Sequence, residues 1–173
     1  MKLDIGCGQN LEKDWVGLDI AKIEGVIQHD CFKFPWPIES DSVEEAKMVH
    51  FFEHVPQDIR FQFMDELYRI MKVGAKCTVV CPYYSSMRAI QDPTHMFPPI
   101  CEASFLYFNK DWRKQNKLDH YRVNCDFDFG YGYSLPSEWS TRADEPRNFA
   151  IAHYMNTAQD LQVVLTKRDP APK

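Results

Sequence analysis

Two glycines flank a cysteine in Gly6-Cys7-Gly8, directly after the run Leu3-Asp4-Ile5. A second short run, Val16-Gly17-Leu18, ends in Asp19. Glycine lets the backbone take positive φ and lets a ligand approach where a Cβ would otherwise stand. In an open α/β sheet, ligands sit in the loops beyond the carboxyl ends of the strands. An acid closing the neighbouring strand is suited to accept hydrogen bonds from ribose hydroxyls. The spacing reads as a pocket for a nucleoside-containing cofactor.

A dinucleotide is the wrong cofactor for this spacing. Its fingerprint has a third glycine and an acid about 20 residues further on. Here Asn10 or Leu11 takes the third position, and the acid already arrives at Asp19. The stretch Gly6 to Trp15 is also shorter than the dozen or so residues a full crossover needs. Its helix is expected to shrink to about one turn or vanish. A pyrophosphate leans on a helix N-terminus, so this loss weighs less on a ligand without phosphate.

The residues resemble the class I S-adenosylmethionine-dependent methyltransferases. Leu3-Asp4-Ile5-Gly6-Cys7-Gly8 is similar to that family's motif I, and Gly17-Leu18-Asp19-Ile20 to the strand that ends in its ribose acid. His29-Asp30-Cys31 resembles the segment whose acid reaches the adenine amine. The likeness continues through Phe34-Pro35-Trp36-Pro37-Ile38, Asp41-Ser42 and Val49-His50-Phe51-Phe52-Glu53-His54-Val55. Leu67-Tyr68-Arg69-Ile70-Met71-Lys72-Val73-Gly74-Ala75 is similar to the family's leucine-lysine-proline-glycine-glycine step into strand five. Asp92-Pro93-Thr94-His95 resembles a segment of some small microbial and viral members, a type with a shortened first loop. The ordered match spans roughly residues 1–100. It implies an α/β, Rossmann-like fold with a mainly parallel central sheet and an antiparallel C-terminal closing strand. It also implies S-adenosylmethionine as cofactor and methyl transfer as the reaction.

Site residues follow from the resemblance. Gly6, Cys7 and Gly8 would meet the methionine portion, with Asp4 helping to place its amine. Asp19 would take the ribose hydroxyls and Asp30 the adenine amine, with Cys31 beside it. Ile20 and Phe32 would sandwich the ring. His50 and Phe51 close strand four next to the cofactor. Plainer readings exist for the acids: a strand-end turn for Asp4, a helix N-cap for Asp19, a surface loop for Asp30.

Methyl transfer from a sulfonium is an in-line displacement with a neutral leaving group, so the main task is alignment. A base is needed only if the acceptor must lose a proton. Three residues are candidates: His54, His95 (which Asp92 could orient) and Tyr83. A structural hydrogen bond suits His54 equally well, loop bracing suits His95, and packing suits Tyr83. Tyr83 and Tyr84 could also flank the sulfonium with their ring faces.

The elements that must position these groups are legible at coarse grain. Strands are expected at 2–5, 16–20, 26–29, 46–50 and 77–81. A helix from Pro56 carries Ile59, Phe63, Leu67, Ile70 and Met71 at three-to-four spacing, with Gly74 as its cap. Residues 83–145 read as an insertion that covers the cleft and shapes the acceptor site. Within it, Phe127 to Tyr133 suits a substrate wall or a plain strand and turn. Ile151–Met155 and Leu161–Thr166 read as the antiparallel closing pair, and Asp169–Lys173 as a frayed tail. The whole, 1–173, reads as one methyltransferase domain.

Composition narrows the partners. The net charge is −5, whereas a protein that grips nucleic acid shows a basic footprint. Lys110 to Arg122 is locally basic, either a solvated face or a patch that attracts an anionic acceptor. After strand four the chain has His50-Phe51-Phe52-Glu53, not the Asn/Asp-Pro-Pro-Tyr/Phe step of amino-methylating DNA enzymes. Cys81-Pro82 is similar to the nucleophile step of cytosine-C5 enzymes but falls on strand five. A small-molecule acceptor is therefore expected. The alternatives are an S-adenosylmethionine-binding accessory module without its own activity, or a nucleic-acid methyltransferase. A homodimer is left open. None of the six cysteines has zinc-site spacing, and no metal is expected. With no apolar run of membrane-span length and no export signal read at Met1, the expectation is a cytoplasmic protein with reduced thiols.

Overall fold

In the computed structural model, which describes residues 1–169, β1 gives way to a turn at Gly6, β2 ends in Asp19 and β5 in Pro82. β1 (Lys2–Ile5), β2 (Val16–Asp19), β3 (Val26–Gln28), β4 (Val43–Val49) and β5 (Met71–Pro82) run parallel. β6 (Phe127–Ser134) and β7 (Asp160–Lys167) complete one sheet of order β3-β2-β1-β4-β5-β7-β6, with β7 antiparallel to both neighbours. This is the mainly parallel α/β sheet with an antiparallel close that the sequence led us to expect. The tail expected to fray falls, from Pro170 on, outside the described residues. Among the described residues, no helix is long and apolar enough to cross a membrane.

β1 lies between β2 and β4, so the chain leaves it towards opposite sides of the sheet. That reversal opens a crevice beyond the carboxyl ends of these strands. The return from β1 to β2 contains only turns and no helix. The expected loss of the crossover helix has a cost visible in the neighbouring strands. Parallel strands are normally apolar on both faces because helices cover both. Here β4 and β5 alternate: Ala46, Met48, Cys77, Val79 and Cys81 are buried, while Lys76 and Thr78 are exposed and Val49 is 45 % exposed. The missing helix is replaced by Trp15, whose ring lies under the ammonium groups of Lys47 at 4.5 Å and Lys2 at 5.5 Å.

The covered face is built around α1 (Arg60–Ile70), which follows a 3-10 turn, Gln57–Ile59, just after Pro56. Phe63, Met64, Leu67 and Ile70 are fully buried. The Phe63 ring meets Trp36 edge-on at 5.1 Å and also packs against Phe34, Phe51 and Phe52. Phe63→Ala is expected to cost about 3–5 kcal/mol, because a ring so enclosed leaves a cavity. Urea denaturation of the variant and parent measures it.

Glu66 fastens α1 to the loop before β4. It accepts the Trp36 backbone N–H at 2.6 Å and two bonds from Arg69, at 2.6 and 2.9 Å. Burial pushes its carboxyl pKa up, but the bonds from Arg69 and Trp36 outweigh burial and hold it below the usual range. A carboxylate depressed in the folded state stabilises fully above its unfolded pKa of about 4.3, and that stability is lost as pH falls through the folded value. The unfolding free energy should therefore fall as pH drops below about 4.3, and Glu66→Gln should flatten that dependence in denaturant titrations between acid and neutral pH.

Two expectations are corrected. Gly74 does not cap α1: the helix ends at Ile70 and Met71 is already extended. Gly74 sits at φ +78 in a kink of β5, where the register slips between Val43–Met71 and Glu45–Lys76. Ile151–Met155 is not a strand. Its first three residues lie in α5, the last of the helices α2 (Met87–Ile90), α3 (Lys110–Gln115), α4 (Ser137–Ser140) and α5 (Asp144–His153). Asp144 and Glu145 in the first turn and His153 in the last suit the helix dipole. The strand beside β7 is β6, where Phe127, Phe129, Tyr131 and Tyr133 alternate with small or polar residues. Residues 83–145 therefore include the sheet's edge strand.

Candidate functional site

The turn after β1 is shaped by two glycines in the left-handed region, Gly6 at φ +70 and Gly8 at φ +53. A Cβ on Gly6 would stand 1.9 Å from Cδ2 of Phe51, so the ring closes directly over the turn. A Cβ on Gly8 would meet nothing within 4 Å. The Gly6 N–H donates to the Leu18 carbonyl at 2.8 Å, tying the turn to β2. Asp19 completes the link. Its carboxylate accepts the N–H of Gly8 at 2.9 Å on one oxygen and that of Ala21 at 2.8 Å on the other. Each oxygen keeps a lone pair for a further donor.

Beside this turn lies a cavity of about 280 Å³ lined by Asp19, Ile20, Asp30, Cys31, Phe32 and Phe51. Phe32 and Phe51 stack at 5.8 Å, and Ile20 is 71 % exposed, an apolar side chain at the rim. The Asp30 carboxylate accepts the Phe32 N–H at 3.0 Å and lies 3.4 Å from the Lys33 ammonium. The walls offer two carboxylates and apolar faces, the equipment for a ribose and a flat base. A larger open groove, about 650 Å³, runs past Asp41, Glu66, Arg69 and Lys167. Its charges are committed to one another, Arg69 to Glu66 and Lys167 to Asp41, both at 2.6 Å.

A second cavity, about 210 Å³, adjoins the first through the chain step from Phe51 to His50 and is walled by His50, Glu53, His54, Arg88, Asp92 and His95. His50 lies at φ +54, with Nδ1 3.5 Å from Glu53. That contact with Glu53 holds its imidazole above the usual histidine range, against the effect of burial. The loop carrying Asp92 and His95 folds back onto the turn after β4, so residues far apart in sequence meet: the His54 and His95 rings lie 4.8 Å apart, edge to face.

Other expected site residues lie elsewhere. Asp4 is buried and faces Lys47 at 3.3 Å, because the pairing of β1 with β4 puts the two residues opposite each other. Lys47 is also held by Glu12 at 2.6 Å. Burial raises the Asp4 carboxyl pKa, with Lys47 opposing. In this arrangement the carboxylate links β1 to β4 through Lys47. The Cys7 thiol points under β2, where a Cβ on Gly17 would stand 2.6 Å from its sulfur. Only the Cys7 backbone belongs to the turn. Burial, aided by Asp19 and Asp4, pushes the Cys7 thiol up to about 11, and burial takes Cys31 to about 12, so both are protonated at neutral pH. Tyr83 lines neither cavity. It is 3 % exposed and packed on Tyr84 and Tyr133, with its hydroxyl raised by burial. Within the local basic run the Arg113 guanidinium is buried, donating to the carbonyls of Tyr107 at 2.7 Å and Cys125 at 3.0 Å, while Lys110, Lys114, Lys117 and Arg122 are exposed.

No protein-family model matches the chain, and a search of curated proteins finds no match. Solved structures do match. An S-adenosylmethionine-dependent methyltransferase from Archaeoglobus fulgidus superposes with a TM-score of 0.66 at 19 % identity, over 96 % of this chain and 85 % of that one. One from Mesorhizobium loti gives 0.56 at 12 % identity, over 96 % and 90 %. Phosphoethanolamine N-methyltransferase 2 of Haemonchus contortus, in complex with phosphomonomethylethanolamine and S-adenosylhomocysteine, gives 0.51 at 11 % identity, over 98 % and 48 %. The chain has the class I S-adenosylmethionine-dependent methyltransferase fold.

Proposed function

We propose that this protein binds S-adenosylmethionine in the cavity beside the glycine turn and transfers its methyl group to a small-molecule acceptor. The observation that carries the reading is the Asp19 carboxylate, fixed by the Gly8 and Ala21 amides at the wall of that cavity. Asp19 takes the ribose hydroxyls and Asp30 the adenine amine, while Ile20 and Phe32 cover the ring and Cys31 and Phe51 close the wall. The backbone of Gly6, Cys7 and Gly8 meets the methionine end. His50 stands between cofactor and acceptor, and the acceptor occupies the cavity bounded by His54 and His95. Catalysis is then mainly alignment of nucleophile, methyl carbon and sulfur. The first loop without a helix suits this cofactor, which has no phosphate for a helix N-terminus to hold.

A small acceptor is favoured by the net charge of −5. The test is turnover of methyl-labelled S-adenosylmethionine against hydroxyl, amine and carboxylate acceptors, with DNA and RNA as separate arms. Release of S-adenosylhomocysteine with one small-molecule class supports the reading. Labelled nucleic acid would make this a nucleic-acid enzyme. Cofactor binding without turnover in any arm would favour the accessory-module alternative.

A further inference from the structure

The second cavity holds a group of donors whose arrangement suits a cation. One donor atom from each of Glu53, His54 and His95 lies within 4.8 Å of the others. Glu53 is only 5 % exposed, and its Oε2 is buried without a hydrogen-bond partner. A buried carboxylate oxygen left unpaired is costly. A bound cation would remove that cost.

The histidines are set up in the same sense. His54 Nδ1 lies 3.3 Å from the Thr94 carbonyl, which can only accept, so Nδ1 carries the proton and Nε2 keeps its lone pair. The Thr94 hydroxyl, 3.1 Å from the same nitrogen, sends its own proton to Asp92 at 2.7 Å. His95 Nδ1 donates to the Ala89 carbonyl at 3.2 Å, again leaving Nε2 bare. Its distance of 3.8 Å from Asp92 exceeds a hydrogen bond. Metal-binding histidines are oriented in this way, by a carbonyl on the far ring nitrogen. The positive charge at the rim, Arg88, is turned onto Asp160 at 2.8 Å and so is largely neutralised.

We propose that Glu53, His54 and His95 form a binding site for a divalent transition-metal ion, with Asp92 beside His95 as a supporting carboxylate. Two imidazoles and one carboxylate select borderline cations such as Zn²⁺ or Co²⁺ over Mg²⁺ or Ca²⁺, which prefer all-oxygen sites. Three bonds of about 2.1 Å in a tetrahedral arrangement place the donors about 3.4 Å apart, so side-chain rotations that bring the donor atoms together by roughly an ångström close the site. Three protein donors leave open positions towards the cavity. An ion there is placed to hold an oxygen or nitrogen of the acceptor, a consequence that, unlike the site itself, rests on the methyl-transfer reading. The cysteine spacings gave no sign of this site because its ligands are not cysteines and meet only when the Asp92–His95 loop folds back.

The test uses chelator-treated full-length protein titrated with Co²⁺ and Zn²⁺ by calorimetry and visible spectroscopy, without S-adenosylmethionine. The expected result is one ion per chain, a Co²⁺ ligand-field spectrum, and paramagnetically shifted proton resonances from two imidazoles. His95→Ala and Glu53→Gln should each weaken binding roughly 100-fold or more, while His120→Ala, an exposed histidine elsewhere, should leave it unchanged. Circular dichroism checks that the variants fold, and the shifted imidazole resonances of the parent decide the matter if one does not. No stoichiometric binding by the folded parent, or binding that survives both substitutions, would overturn the assignment. Its failure would leave S-adenosylmethionine binding untouched, so the two readings fail separately.

Discussion

Gly6→Ala is expected to abolish detectable S-adenosylmethionine binding and to destabilise the protein by about 2–4 kcal/mol. Two costs coincide at this position. The backbone stands at φ +70, which a residue with a side chain adopts only under strain. The new Cβ would also lie 1.9 Å from Cδ2 of Phe51, so the ring must move. Phe51 has little freedom to do so, since it stacks on Phe32 and packs on Phe63. Any displacement carries into the cavity that Phe51 and Phe32 line. Gly8→Ala provides the contrast. Its φ is also positive, but its Cβ would meet open space, so only the backbone strain of about 1 kcal/mol applies. Chemical denaturation of the two variants separates ring collision from strain. Similar stability for both would mean that Phe51 yields freely.

Asp19→Ala is expected to weaken S-adenosylmethionine binding at least about 100-fold, because hydrogen bonds to a charged acceptor are worth about 1.5–3 kcal/mol each and a ribose can make two. The carboxylate also anchors the glycine turn through Gly8 and the start of the next loop through Ala21. Its removal should therefore lower stability as well as affinity. Asp19→Asn distinguishes the two roles. The amide keeps one acceptor oxygen but turns an N–H group towards a backbone N–H. It should recover part of the affinity and fall between parent and alanine. An asparagine variant as weak as alanine would show that the charge carries the binding. An alanine variant that binds like the parent would remove Asp19 from the site.

Much of the first half of the molecule is legible in local sequence. Glycine turns, strand-ending acids and the three-to-four apolar spacing of α1 are short-range signals, and five parallel strands follow from them. The cavity beside the glycine turn is lined by six residues that the sequence had already marked, because each sits at or just after the end of a strand. What is not legible depends on remote partners. The ion pair of Asp4 with Lys47 forms because the pairing of β1 with β4 brings the two opposite each other. The alternation of Lys47, Lys76 and Thr78 with buried residues could have revealed a sheet face without helices, since buried parallel strands lack such alternation. Ile151–His153 is helical because α5 begins well upstream, with Asp144 and Glu145 in its first turn followed by Pro146, and the apolar Ile151 falls near its end. The meeting of Glu53, His54 and His95 depends on a loop closing across some forty residues, which no local pattern encodes.

The most direct test of the central claim is calorimetric titration of the purified protein with S-adenosylmethionine, with NAD as control and Asp19→Ala alongside. One site of micromolar affinity, lost in Asp19→Ala and absent for NAD, is the predicted result. No heat from folded protein, or equal binding of NAD, would contradict it.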